Sequence, residues 1–355
     1  MFRLTEAARV EFPPTNVVVV GTNGKTSTAT FIARFVRARG RLDGLTTSPH
    51  IAAWGERVRV GEEAVPDELL VDAVERLHGV AAEIGGDELR FFDLLTLAAA
   101  EIFVSRAVDV GVFEAGIGGR LDATRVVPAA VVALTGIGID HAELLGASET
   151  EILREKLGIA DAGSTVVAAQ LPPDLSAVAQ GVAADTGFSL TFVSSEEHEF
   201  LGRNADLAAA AVELLGIPAE TELDDVDRTV LGRMHRLDSD GVSVLVDAAH
   251  NPQAWSEIET SLPSAFVAVV SISADRPAAA LAAALGNAVA VVTTTAWEGR
   301  SLPAGALAAA FGGSAVPIDD PGEAVARARE LARSRAVPLV VLGSTYLLPH
   351  AYRVL

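Results

Sequence analysis

Two primary amines are the scarcest reactive groups in this chain. Of its 27 basic residues only Lys25 and Lys156 are lysine, and the rest are arginine. A guanidinium keeps its proton and spreads its charge, whereas an ammonium is a compact point charge that can deprotonate. Lys25 lies in "VVVVGTNGKTST", residues 17–28: four β-branched residues, a glycine-flanked turn, then a helix-like run. A strand, a Gly-rich turn and a helix N-terminus form a cradle whose backbone N–H groups face an anion. Gly21 and Gly24 permit close approach, with Thr22 and Asn23 between them. Lys25 would lie on the β- and γ-phosphates of a nucleotide, and Thr26 or Ser27 would offer a hydroxyl to Mg²⁺. The loop is a shortened form of G-x-x-x-x-G-K-[ST], because Val19 stands where the first glycine belongs. The structural alternative is a βα turn carrying an exposed lysine.

Lys156 lies in "ILREKLGIA", after "VFEAGIGGRLDATR" and "GIDHAELLG". Glu114 ends a buried strand and opens a glycine turn. Ligands of parallel sheets bind at the carboxyl ends of the strands, and a carboxylate there suits a hard cation. His141 follows the next strand at the same edge. Mg²⁺ prefers oxygen, so a His ligand would also admit Mn²⁺. The alternatives are a carboxylate capping the glycine turn and a hydrogen-bonded core histidine.

These groups need a scaffold, and the rest of the chain supplies its pattern. The 355 residues are half apolar, enough for two or three domains with sizeable cores. Strand-like runs such as "VDVGVFEAGIGG" and "AAVVALTGIGID" alternate with amphipathic helical stretches, which implies a parallel sheet covered on both faces. The acidic, turn-rich "IPAETELDDVDRTVLGR" precedes a boundary near Arg233 to Asp238. The pattern then restarts in a smaller unit of about four strands. The expected organisation is α/β: a phosphate-loop, parallel-sheet ATPase domain over 1–234 and a smaller Rossmann-like domain over 235–355. There is no cysteine, which excludes disulfides, thiolate metal sites and Cys nucleophiles. A formal charge of −20 opposes binding to nucleic acid and anionic membranes. No apolar run approaches a membrane span and the first residues lack a secretory plan, so a soluble cytoplasmic protein is expected.

Taken in order, "GTNGKTST", "TTSPH", "ERVRVG", "FFDLLTLAAAEIF", "FEAGIGGRLDATR", "GIDHAELLG", "REKLGI", "LGR" and "DAAHNP" resemble the Mur ligase superfamily, and within it the folylpolyglutamate synthase/dihydrofolate synthase family. The resemblance covers most of residues 17–255 and continues more loosely through "SISADRP" and "VLGSTYLL". It implies ATP at the loop of Gly24, Lys25 and Thr26/Ser27, one Mg²⁺ held by Ser48 and Glu114, and a second held by His141. It implies that Lys156 carries CO₂ as a carbamate, which only a neutral primary amine can form. It further implies that Arg233 reaches the ATP phosphates, and that Asp247, His250 and Asn251 hold nucleotide or position the incoming amino acid.

The reaction implied is ATP-dependent carboxylate–amine ligation through an acyl phosphate, adding L-glutamate to dihydropteroate or a folate, by a monomer without nucleic-acid or membrane partners. Arg57, Arg59 and Arg120 are candidate contacts for substrate carboxylates, with a solvated surface role as the alternative for Arg57 and Arg59. Three departures keep a second substrate reading open, an amide ligase acting on a non-folate acid. About sixteen residues precede Val17 where members usually have more, the loop reads Gly-Lys-Thr-Ser-Thr, and Asp93 stands where Glu is commoner. A phosphate-loop phosphotransferase or NTPase switch would lack the second domain with its Asp-x-x-His-Asn-Pro turn. A silent binding protein would be expected to lack Glu114, His141 or Lys156. A serine esterase and a dinucleotide fold fail on motif, since neither G-x-S-x-G nor G-x-G-x-x-G is met.

Overall fold

The computed structural model describes residues 1–86, 88–197, 199–219 and 229–355. The chain divides into two compact units, Met1–Asp227 and Arg228–Leu355. Part of the acidic stretch read as the approach to a boundary falls on 220–228, outside the described residues.

The first unit comprises α1 (Phe2–Ala7), β1 (Thr15–Val20), α2 (Lys25–Ala38), β2 (Asp43–Thr46), β3 (Val58–Val60), β4 (Glu63–Ala64), α3 (Asp67–Glu83), α4 (Phe91–Ser105), β5 (Val110–Glu114), β6 (Val131–Leu134), α5 (Ala142–Leu145), α6 (Glu149–Leu157), β7 (Thr165–Ala169), α7 (Pro173–Thr186), β8 (Ser189–Val193) and α8 (Phe200–Glu213). Its sheet runs β4-β3-β2-β5-β1-β6-β7-β8. The strands from β2 to β8 in that order pair in parallel, while β3 and β4 extend the edge antiparallel. Val17 to Val20 and all of β5 and β6 are buried, as continuous apolar strands must be. The two short edge strands and α7 have no counterpart in the sequence reading.

The second unit comprises β9 (His235–Ser239), β10 (Val242–Val246), α9 (Pro252–Glu259), β11 (Phe266–Val270), α10 (Ala278–Ala284), β12 (Ala288–Thr293), α11 (Ala304–Ala309), β13 (Ala315–Pro317), α12 (Pro321–Arg335), β14 (Leu339–Leu342) and α13 (Leu348–Val354). Its sheet runs β13-β12-β11-β14-β10-β9, so the expected four strands are six. The additional two are inconspicuous in sequence for physical reasons. β9, "HRLDS", is an edge strand antiparallel to β10 and largely polar. β13 has only three residues.

Two features of the first unit fix α6, the helix that carries Lys156. Its start is a capping box: Ser148 Oγ accepts from Glu151 N at 3.3 Å, and Ser148 N donates to Glu151 Oε2 at 3.1 Å. Its end meets the glycine turn after β5 backbone to backbone. A Cβ at Gly119 would overlap the Lys156 carbonyl and Cα, and one at Gly158 would overlap Arg120. Arg120 N donates to Glu155 O and Arg120 Nε to Glu155 Oε2, each at 2.9 Å. Gly119→Ala should therefore destabilise the protein by about 1–3 kcal/mol, read as a lower urea midpoint. An unchanged midpoint would show that α6 can shift away without cost.

Candidate functional site

Val20 ends β1, and Gly24, in the left-handed region at φ 88°, caps the start of α2. A Cβ at Gly21 would strike Thr135 Oγ1, and a Cβ at Gly24 would strike the Asn204 amide, so both positions require glycine. The loop is tied to the segment after β6. Thr22 N donates to Gly136 O at 2.9 Å, Thr22 Oγ1 bonds to Gly138 at 3.1 Å, and Thr135 Oγ1 donates to Asn23 O at 2.6 Å. Lys25 folds back over this loop, its Nζ donating to Gly21 O and Thr22 O at 3.1 Å each. The two candidate hydroxyls differ. Thr26 Oγ1 donates to Glu114 Oε1 at 2.9 Å, whereas Ser27 is fully buried and its Oγ has no partner among the described residues.

Strand order explains why Glu114 stands where it does. Because β5 lies between β2 and β1, its last residue sits between the loops that follow those strands. It accepts from both, from Thr26 on one side and from Ser48 N at 2.9 Å on the other. Glu114 is 2 % exposed. Among the described residues no group of three or more His, Asp or Glu side chains could hold a metal by themselves. One buried carboxylate beside a hydroxyl fits Mg²⁺, which keeps waters and takes its other oxygens from a nucleotide. His141 lies further along the same edge, seven residues beyond β6, with a left-handed backbone at φ 50°. Its N–H donates to Asp140 Oδ1 at 2.9 Å, and its Nε2 is 4.0 Å from that oxygen.

Lys156 reaches the phosphate loop from α6. Its Nζ donates to Gly21 O at 2.7 Å, so the only two lysines of the chain meet at one carbonyl. The side chain is 4 % exposed. Burial, and then the positive charge of Lys25, push the Lys156 amine down to about 7, against the pull of Asp140, Asp122 and Glu155.

The sequence reading passed over two further residues. Asp122, in "GGRLDATR", accepts from Gly116 N, Ile117 N, Thr124 N and Thr124 Oγ1 at 2.6–3.1 Å and so shapes the turn after β5. Burial raises its carboxyl above the usual range despite those four donors. Asn204 on α8 lies against Gly24, and its Nδ2 has no partner among the described residues. Its signal was available: it shares the spacing of the buried Leu207, Ala208 and Ala211, where an apolar residue would be expected.

Of the arginines proposed for substrate carboxylates, Arg120 is paired with Glu155. Arg57 Nε donates to His50 Nδ1 at 2.7 Å, with its guanidinium 5.0 Å from the Trp54 ring centre, and burial and Arg57 lower the His50 pKa. Arg59 lies on β3, its Nε buried without a partner among the described residues. Trp54, Phe91, Ile117, Leu121, Ile139 and Leu144 are exposed on the loops and helix starts around this edge.

The other candidates belong to the second unit. Asp247 follows β10 and is buried. Its oxygens accept from Met234 N and Ala249 N at 2.7 Å each, and the Arg233 charge opposes the upward push that burial gives its pKa. Arg233 Nη1 donates to Gly232 O at 3.1 Å, and Gly232 N donates to Tyr352 Oη at 2.8 Å. Asn251 caps α9, its Oδ1 accepting from Ala254 N at 2.9 Å, and is fully buried. His250 Nδ1 lies 3.0 Å from Ala248 O, which places the proton of the neutral ring on Nδ1.

Comparison with known proteins gives three findings. Residues 232–344 match the family model described as Mur ligase, glutamate ligase domain. The folylpolyglutamate synthase of Lacticaseibacillus casei is 32 % identical over 93 % of this chain and 87 % of its own. Among solved structures, Mycobacterium tuberculosis folylpolyglutamate synthase complexed with ADP and AMPPCP superposes with a TM-score of 0.88 at 26 % identity, covering 99 % of this chain and 93 % of that one. A bifunctional folylpolyglutamate synthase/dihydrofolate synthase with Mn, AMPPNP and L-glutamate bound gives 0.83 at 25 % identity, covering 99 % and 92 %.

The displaced Lys156 pKa has a measurable consequence. The amine titrates near 7 in the folded protein against an ordinary 10.5, so between those values the unfolded chain binds more protons. Stability gained from this group therefore rises with pH across that window, by at most about 1.4 kcal/mol per pH unit. Urea titrations of wild type and Lys156→Met from pH 6 to 10 should show a difference that grows in favour of wild type above pH 7. A difference independent of pH would mean that the folded amine stays protonated.

Proposed function

Because the chain belongs to the folylpolyglutamate synthase/dihydrofolate synthase family of the Mur ligase superfamily, whose members are ATP-dependent glutamate ligases, we propose that it couples L-glutamate to dihydropteroate or a folate. The observation that carries this reading is the convergence of Lys25 and Lys156 on the Gly21 carbonyl, beside the Thr26–Glu114 contact. The acid's carboxylate attacks the γ-phosphorus of ATP, the bond to the β-phosphate oxygen breaks, and ADP leaves. The amine of glutamate then attacks the acyl phosphate, loses a proton and expels phosphate.

Each residue has a part in that sequence. The turn from Thr22 to Ser27 and the start of α2 bind the phosphates through backbone N–H groups. Lys25 swings from the loop carbonyls to the γ-phosphate, where its charge matches what develops in the transition state. Thr26, Ser48 and Glu114 would hold one Mg²⁺ or Mn²⁺, and His141 a second, which when bound neutralise charge on the transferring phosphoryl group. Lys156, held near pH 7, offers CO₂ a neutral amine. The C–N bond forms as one proton leaves, and the neutral amine becomes an anion suited to face the second metal. Arg233 and His250 act on the nucleotide and the amino acid, and Asp247 and Asn251 hold the turns that aim them. The exposed apolar side chains around the first unit's edge support an acid with a large apolar body. The same reading makes the protein a cytoplasmic monomer.

Phosphate release with ATP, Mg²⁺ and bicarbonate should require both an acid and an amino acid, and should be fastest with dihydropteroate or tetrahydrofolate plus L-glutamate. Turnover with other acids but neither of these would assign the scaffold to a non-folate ligase. Hydrolysis indifferent to amino acid would sink the ligase reading. Lys156→Arg, which keeps charge but cannot form a carbamate, should lose at least 100-fold in kcat on the scale of a lost transition-state interaction. With ¹³C-bicarbonate, wild type should show a carbamate carbon resonance that the variant lacks. Its absence from wild type removes the carbamate.

A further inference from the structure

Arg233 leaves the chain from a tight turn at the start of the second unit. Arg233 N donates to Val230 O at 3.0 Å and closes that turn, with Gly232 in the left-handed region at φ 66°. Met234 follows at φ 48°, a conformation that a side chain disfavours and that neighbouring contacts must outweigh.

Three consecutive peptide units around Arg233 are each held by one bond. Met234 N, in the unit after Arg233, donates to Asp247 Oδ2 at 2.7 Å. Gly232 O, in the unit before it, accepts from Ala248 N at 2.9 Å. Both partners lie just after β10. The third bond comes from the other end of the unit: Gly232 N donates to Tyr352 Oη on α13 at 2.8 Å, across 120 residues of chain. Glycine has the widest backbone freedom of any residue, and this bond and the one from Ala248 fix the peptides on either side of its Cα. Gly232 is buried, so removing the hydroxyl would strand a buried N–H.

Tyr352 is itself held in place. Its Oη lies 2.8 Å from His235 Nδ1 at the start of β9, with the ring centres 5.6 Å apart at 35°. A tyrosine hydroxyl has one proton to give and lone pairs to accept. Gly232 N–H occupies a lone pair, and a neutral imidazole can take the proton at Nδ1. Burial of His235 favours that neutral form. The end of α13 is anchored too, Leu355 O accepting from Ser239 Oγ at 3.1 Å and Val354 O from Arg329 Nη1 at 2.9 Å. The helix is therefore tied to both ends of β9, at His235 and at Ser239.

We propose that Tyr352 is a positioning residue for Arg233, its hydroxyl fixing the Gly232 backbone and with it the direction in which the guanidinium leaves the turn. Asp247 and Ala248 alone clamp the peptides flanking Arg233 but leave φ of Gly232 unrestrained, and the Tyr352 hydroxyl removes that freedom. Pre-organising a charged group in this way lowers the cost of aiming it at a developing charge. The assignment rests on the reading of Arg233 as a group that acts on ATP, and it adds the residue through which the C-terminal helix serves that reaction.

Tyr352→Phe keeps the ring and removes the hydroxyl. With the other substrates saturating, its kcat/KM for ATP should fall ~10-fold while the KM for L-glutamate stays unchanged. The loss must pass through Arg233, so Tyr352→Phe should cost nothing further in an Arg233→Ala background. His235→Phe, which takes the acceptor from the hydroxyl, should show a smaller loss of the same kind, and His235→Gln should recover part of it. Amide exchange at Gly232 should be slow in wild type and faster in Tyr352→Phe, whether or not the enzyme turns over. Normal kcat/KM for ATP in both Tyr352→Phe and His235→Phe would overturn the assignment, as would losses from Tyr352→Phe and Arg233→Ala that multiply in the double variant. No phosphate release from wild type with any acid and amino acid would instead overturn the ligase reading.

Discussion

The first unit is organised around one carbonyl oxygen. Gly21 O accepts from Lys25 at 3.1 Å and from Lys156 at 2.7 Å, which brings two like charges together in a place water hardly reaches. Burying an ammonium beside another cation is unfavourable, and the protein answers by letting one amine give up its proton near pH 7. The asymmetry follows from position. Lys25 sits at the open mouth of the loop and is half-buried, whereas Lys156 is buried and close to Asp140, Asp122 and Glu155. One lysine is left as a point charge and the other as an amine that can lose its proton, and a guanidinium offers neither property.

Holding those amines together requires backbone-to-backbone packing that only glycine allows. Gly21 and Gly24 let the loop press on Thr135 and Asn204, and Gly119 lets the turn after β5 press on the end of α6. Glu114 completes the arrangement by bonding to the loops on either side of its own strand. The arrangement is therefore a property of strand order: β2, β5, β1 and β6 stand side by side, Glu114 ends β5, and the segments that follow the other three carry Ser48, Lys25 and His141.

What the sequence disclosed and withheld follows the same physics. The phosphate loop, the buried strands and the two lysines were legible because each rests on a local pattern: β-branched runs, flanking glycines, an unusual residue choice. The polar edge strand β9, the three-residue β13 and the short β3–β4 extension were not, because edge strands bury little and gain their shape from a neighbour rather than from their own residues. Asn204 was overlooked for a different reason. It looks like an interruption of an apolar helix face, and its value appears only when Gly24 is seen beneath it.

In the second unit, residue type alone did not show which bonds within the fold the polar groups of "DAAHNP" make. Asp247 and Asn251 are polar and sit in a motif at a strand end, so they read as ligand contacts. In the structure Asp247 bonds to two backbone N–H groups beside Arg233, and Asn251 caps α9. Their chemistry is largely consumed in fixing the turn, and a buried carboxylate with its oxygens so engaged would expose unpaired donors if it moved. Arg300 is the opposite case. It stands outside "DAAHNP", in a loop whose sequence carries no phosphate or metal pattern, and its guanidinium lies against the rings of Trp297 and Tyr346. The two backbone bonds of Asp247 and the helix cap of Asn251 hold in place the turn that carries His250 between them.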